Sequence, residues 1–200
     1  MDDIVAVAIG PVMKHPAVRS VEFAGSRSRG THHELSDWDF AVETQDFAAV
    51  ARDLPRLVSP LDPLGAQWEP MGHFPVYQVM LRGPTKVEYL FLDQAQEPMP
   101  PVTPGAATLA AIDTHFWDWT WWLATKAAAG RDDLVSEHLP QLHRHLLRPL
   151  GVTTQPATIP TAIDAFAARR DALERTYGVS VPRALEDEVR RGIERIGVAG

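Results

Sequence analysis

Two aspartates one residue apart, Asp37 and Asp39, open a strand-like run, Asp37-Trp38-Asp39-Phe40-Ala41-Val42. Successive side chains on a strand point to opposite faces, so both carboxylates project from one face. Side by side they repel, and the arrangement is costly without a counter-charge. A divalent cation is the usual counter-charge, and hard carboxylate oxygens suit Mg²⁺ or Mn²⁺. Upstream, Val21-Glu22-Phe23-Ala24 has strand character and breaks at Gly25-Ser26. Gly25 lets the backbone turn sharply and approach a ligand closely. Ser26 offers a hydroxyl and a backbone N–H where the loop enters a short helix, a ready anion site. A phosphate cradle beside metal-binding carboxylates implies a nucleoside triphosphate.

Gly25-Ser26, ten residues, then Asp37-x-Asp39, in the setting GSRSRG…SDWDFAV, resembles the signature of the DNA polymerase β-like nucleotidyltransferase superfamily. The pattern, Arg29-Gly30 included, is similar to that of a small bacterial branch. That branch holds aminoglycoside and lincosamide nucleotidyltransferases and the minimal antitoxin-type enzymes. The match is tight over residues 21–42 and loose over the rest of the first half.

The resemblance implies a third metal carboxylate from the centre of a later strand. Glu88 has that place, in the otherwise apolar middle of Lys86-Val87-Glu88-Tyr89-Leu90-Phe91-Leu92. A carboxylate there needs a partner. The plain alternative is a surface glutamate on an edge strand, paired with Lys86 or Arg82. The resemblance also implies a lysine, one helix into a second domain, that reaches the triphosphate. Lys126, in the pattern Lys126-x4-Arg131-Asp132, matches it, against the alternative of a solvated helix-end cation. Related resistance enzymes carry a glutamate base one turn before that lysine. Trp122 stands there in this chain, which leaves the base unassigned, with Asp118 as the fallback. In the loop, Arg29 is favoured over Arg27 for neutralising phosphate charge, the alternative being an ion pair with Glu34. The implied co-substrate is ATP or another NTP, with two Mg²⁺ (or Mn²⁺) ions held by Asp37, Asp39 and Glu88.

The carboxylates and the phosphate loop need a sheet to hold them. Apolar spacing predicts a helix over 3–13, a strand over 18–24, the second strand from Asp37, and an amphipathic helix over 46–58. Residues 59–65 read as loop and 67–69 as a short strand. Residues 75–81 and 86–92 read as strands joined by the turn Arg82-Gly83-Pro84-Thr85. Glu97 to Gly105 holds four prolines in nine residues, which excludes regular helix or central strand. Beyond it lie four helical stretches, 106–129, 131–150, 162–177 (capped by Thr161) and 183–196, whose apolar stripes argue for a bundle. The expected fold is therefore α+β: an N-terminal nucleotidyltransferase-type mixed sheet flanked by helices, followed by a C-terminal helical bundle. The expected domains are a nucleotidyltransferase domain at 1–97, a Pro-rich linker at 98–105 and a helical substrate-binding domain at 106–200.

Composition narrows the function. The 200 residues are 45% hydrophobic and 22% charged, ordinary globular values, and contain no cysteine. There is thus no disulfide framework and no thiolate chemistry, which fits a cytoplasmic protein. No run approaches membrane-spanning length. The net charge of −7 is carried mostly by the first half, which disfavours a broad nucleic-acid-binding face and suits a cationic small substrate. Four tryptophans in Trp117-Asp118-Trp119-Thr120-Trp121-Trp122 cannot share one helix face and read as a buried helix, one or two indoles lining a pocket at most. His32, His33, His138, His143 and His145 read as surface or structural residues rather than metal ligands. The expected activity is transfer of a nucleoside monophosphate, AMP from ATP, to a hydroxyl of a small-molecule acceptor such as an aminoglycoside- or lincosamide-like antibiotic. The alternatives are an antitoxin-type enzyme that adenylylates a partner protein, and a non-catalytic nucleotide-binding protein. Related enzymes often complete the site across a homodimer.

Overall fold

The computed structural model describes residues 2–97 and 103–197, and the chain divides into two compact units, Met1–Met99 and Pro100–Gly200. Residues 98–102, most of the proline-rich segment expected as a linker, lie outside the described residues. Each unit buries its own apolar set.

In the first unit, α1 (Asp2–Met13) leads into β1 (Val18–Phe23), a single helical turn α2 (Gly25–Ser28) and β2 (Trp38–Thr44). Helix α3 (Phe47–Leu57) follows, started by Asp46, whose carboxylate accepts from the Ala49 N–H at 3.0 Å. Then come β3 (Gly65–Trp68), β4 (Val76–Leu81) and β5 (Thr85–Leu90). The segment expected as loop holds a 3-10 turn at Ser59–Leu61, and β3 starts at Gly65, before the expected Gln67. Its pairing with β4, Gly65 opposite Met80 through Trp68 opposite Tyr77, overrides the weak strand propensity of Gly65 and Ala66.

The sheet order is β1-β2-β5-β4-β3. Only β2 and β5 run parallel; the other three pairs are antiparallel. Alternation along β2 buries Trp38, Phe40, Val42 and Thr44. With Val79, Val87 and Tyr89, the first three form a core with Ala8 and Val12 of α1 and Val50 and Leu54 of α3. The Tyr89 hydroxyl, trapped in that core, donates to the Ala8 carbonyl at 3.0 Å. One sheet face is thus apolar and covered, and the other carries the polar alternates.

The second unit is helical: α4 (Leu109–Ala128), α5 (Asp132–Leu142), α6 (Ile159–Tyr177) and α7 (Ala184–Arg195), with α4 packed against the other three. The stretch expected as one helix over 131–150 is broken. Pro140 lacks an N–H to donate within α5, and a π-helical turn follows at His143–Leu147. Helix α6 begins earlier than expected. Thr158 is its cap, accepting from the Thr161 N–H while the Thr161 hydroxyl accepts from the Thr158 N–H, so Thr161 is the second half of a capping box rather than the cap. Trp117 and Trp121 are buried, and Trp119 and Trp122 are half-buried. Among the described residues no helix is long and apolar enough to cross a membrane.

Candidate active site

The turn after β1 is built against Asp39. The Ala24 N–H donates to the Asp39 carbonyl at 2.8 Å, carrying the β1–β2 pairing to the start of α2. Gly25 has φ +59, and a Cβ on it would lie 1.7 Å from Asp39 Oδ2. Only glycine meets both demands. Gly25→Ala is therefore expected to lower stability by at least about 1–2 kcal/mol from the left-handed backbone alone. It should also displace the Asp39 carboxylate. Urea denaturation reads the first effect and Mn²⁺ binding the second; a variant unchanged in both would show that the turn tolerates a side chain.

Register brings Glu88 to the same place. The parallel pairing of β2 and β5 sets Asp39 opposite Glu88, the β4–β5 pairing sets Glu88 opposite Gln78, and β3–β4 sets Gln78 opposite Gln67. Four polar side chains thus cross four strands in one row. The Gln67 amide donates to Gln78 Oε1 at 3.4 Å, and the Gln78 amide donates to Glu88 Oε1 at 3.0 Å. Lys86, two residues before Glu88 and so on its face, places its ammonium 2.9 Å from Glu88 Oε1 and 4.0 Å from Asp37 Oδ2. Asp37 lies one residue before β2 and is half-buried.

The electrostatics follow from this crowding. The Asp39 carboxyl is pushed up to about 7, first by burial, then by the charges of Glu88 and Asp37, and it hydrogen-bonds to Glu88. Glu88 is held below the ordinary glutamate range: burial opposes its charge, but Lys86, the Gln78 amide and the Asp39 proton together outweigh that. Burial also raises Glu69, which sits near Lys86 and Glu88 and bonds to Gln78. Without metal, the folded protein therefore keeps protons that the unfolded chain releases above pH 3.8, the ordinary aspartate value. The contribution of Asp39 to stability should fall as pH rises from that value through about 7, because its folded carboxyl keeps a proton across the window. Urea denaturation in EDTA at several pH values measures the slope, and Asp39→Asn should flatten it.

The other expected residues are placed as follows. Ser26 is half-buried in α2, and its carbonyl accepts from the Thr31 N–H at 3.0 Å. Arg29 is exposed at the end of that turn. Arg27 closes the loop: its guanidinium lies 3.6 Å over the Trp38 ring and donates to the carbonyls of Ser36 and Asp37 at 2.9 and 3.0 Å. Its charge also reaches Asp37 and Asp39. Lys126 belongs to the second unit, in the last turn of α4, 5.2 Å from the Trp122 ring centre. Asp118 is buried on the same helix. His138 packs on Trp122 at 4.7 Å, and His143 bonds the Val152 carbonyl at 3.0 Å.

Sequence reasoning missed Gln78 and Gln67 and gave Lys86 only the bland role. A signal existed: Gln78 is the lone polar residue in the buried strand Val76–Leu81. Further along the same face, where Glu22 lies opposite Ala41 and Ser20 opposite Glu43, an open groove of about 260 Å³ is lined by Ser20, Glu22, Glu43, Leu90, Leu92 and Asp93.

Among the described residues, no three His, Cys, Asp or Glu side chains gather in a group that could itself hold a metal ion. The Asp39–Glu88 pair nonetheless fits one half of a magnesium site. Two hard oxygen donors lie in hydrogen-bond contact, and Mg²⁺ is usually bound by one or two carboxylates plus substrate phosphates rather than by an all-protein cage.

No protein-family model and no curated protein matches the chain. Among solved structures it is similar to an aminoglycoside 6-adenyltransferase from Bacillus subtilis, at 11% identity over 98% of this chain and 97% of that one, with a TM-score of 0.41. It is also similar to the polymerase core of TRAMP, an RNA surveillance complex, at 14% identity over 57% and 39% of the two chains, with a TM-score of 0.36. Likenesses this distant leave the chemistry to be read from the residues of the sheet face.

Proposed function

We propose that the chain is a metal-dependent nucleotidyltransferase that moves AMP from ATP onto a hydroxyl of a small polar acceptor of the aminoglycoside or lincosamide kind. The observation that carries this reading is the carboxyl pair Asp39–Glu88, in register on parallel strands and set against the backbone of Gly25. In the reaction the acceptor hydroxyl gives up its proton to solvent as its oxygen bonds to the α-phosphorus, the bond to the bridging oxygen of the β-phosphate breaks, and pyrophosphate leaves. Asp39 and Glu88, with Asp37 beside them, would hold Mg²⁺ or Mn²⁺ together with the nucleotide phosphates, and the ion would polarise phosphate oxygens and lower the pKa of the attacking hydroxyl.

The chain's own groups do the positioning. Gly25 and Ser26 offer close backbone approach, an N–H and a hydroxyl to the triphosphate, and Arg29 supplies an exposed positive charge beside them. Gln78 and Lys86 hold Glu88 in one orientation, so little rearrangement is needed when charge develops. The acid-lined groove further along the face suits part of a cationic acceptor. Lys126 is assigned to the triphosphate and the helical unit to acceptor binding.

The test is pyrophosphate release with ATP and Mg²⁺ against a panel of aminoglycosides and lincosamides, preceded by thermal shift with each NTP. Stabilisation by ATP with Mg²⁺ and release with at least one acceptor are expected. No stabilisation by any NTP and no release across the panel would overturn the reading.

A further inference from the structure

Lys86 is a lysine in an unusual position. Its side chain is only 4% exposed, and its ammonium stands between two of the three carboxylates assigned to metal, 2.9 Å from Glu88 and 4.0 Å from Asp37. The contact is built in. Lys86 and Glu88 are alternate residues of β5, so they share a face whatever the surroundings, and β2 pairs alongside with Trp38 opposite Val87, which sets Asp37 level with Lys86. Gln78 bonds the same Glu88 oxygen from the neighbouring strand and keeps it turned toward the ammonium.

A second divalent ion bridging Asp37 and Glu88 would have to share this corner with a fixed positive charge. Like charges that close repel strongly at a partly buried site.

Building on the nucleotidyl-transfer reading, we propose that the Lys86 ammonium permanently occupies the place of a second metal ion, so that the site takes up a single divalent cation with its nucleotide. Lys86 is then a positioning and charge-supplying residue. It holds Glu88 and neutralises the Asp37 side of the site, as a point charge without coordination geometry to satisfy.

Electron paramagnetic resonance with Mn²⁺ and the α,β-methylene analogue of ATP tests this, because bound ions can be counted and two neighbouring Mn²⁺ ions couple to one another. The wild-type chain should bind one Mn²⁺ per molecule with the spectrum of an isolated ion. Lys86→Met should bind two, with the spectrum of a coupled pair, and Lys86→Arg, which keeps the charge, should bind one. A coupled pair in the wild type, or a folded Lys86→Met that still stops at one ion, overturns the proposal and leaves the nucleotidyl-transfer reading standing. A wild type that binds neither the analogue nor Mn²⁺ removes that reading and this inference with it. Should Lys86→Met fail to fold by circular dichroism, the wild-type count decides alone.

Discussion

Asp39→Asn is expected to cut nucleotide turnover by roughly 10²–10³-fold or more, the range lost when one preorganised charge-stabilising group is removed. The same change should leave the first unit folded and, in EDTA at pH 8, at least as stable as the wild type. The two effects have opposite signs for one reason. In the wild type the Asp39 carboxyl is pushed up to about 7 by burial and by the charges of Glu88 and Asp37, so at pH 8 it is ionised against its surroundings. Asparagine removes that repulsion while nearly keeping the shape and an acceptor oxygen. It also removes one of the three carboxylates assigned to the cation. A residue that merely supported the sheet would lose stability and activity together. Pyrophosphate release and urea denaturation on the same preparation separate the cases, and full turnover by Asp39→Asn would sink the assignment.

The second large effect is expected in the helical unit. Arg170 on α6 is 2% exposed, and one guanidinium nitrogen donates to Asp113 Oδ1 of α4 at 3.0 Å and to Glu186 Oε2 of α7 at 2.5 Å. The Trp117 indole donates to the same Asp113 oxygen at 3.2 Å, and Arg190 bonds Glu186 at 2.8 Å. One cation thus ties three helices. Arg170→Met would leave Asp113 without its cation in the core, and breaking a buried pair this way costs about 3–5 kcal/mol. The cost should grow with pH. Burial already raises Asp113 to about 6 with Arg170 in place, and without the arginine its pKa rises further, so the folded variant must either hold a proton or bury a bare charge. Denaturation of the full chain followed by tryptophan fluorescence at pH 5 and pH 8 should show the larger loss at pH 8. The triple variant Arg170→Met, Asp113→Leu, Glu186→Leu should recover most of it, since an apolar replacement of the whole network leaves no charge behind. A loss under about 1 kcal/mol in the single variant would mean water reaches the network.

Much of the architecture is legible in the chain because it follows from short periods. Short strand-like runs bounded by turn residues marked the strands that became β2, β4 and β5, and apolar stripes marked the helices of the second unit. The errors fall where particular contacts, near or distant in the chain, decide. Thr158 and Thr161 both suit a helix cap, and the boundary is chosen by their reciprocal bonds. Gly65 and Ala66 join a strand only because β4 lies beside them. Arg27 and Arg29 are two residues apart in one loop, and the position of the Trp38 ring puts Arg27 to closing it while Arg29 stays exposed.

The candidate site divides along the same line. By itself the sequence determined that a glycine turn precedes two alternate carboxylates and that Lys86 and Glu88 share a face of their own strand, because those facts depend on neighbours in the chain and a period of two. Tertiary structure alone decided that β5 lies parallel to β2 in the register that sets Glu88 beside Asp39, that Gln78 arrives from β4 to orient it, and that the lysine ammonium reaches toward Asp37 as well. Strand order and register are set by how the apolar faces of the whole unit pack over α1 and α3, and a sliding window along the chain contains no information about that packing.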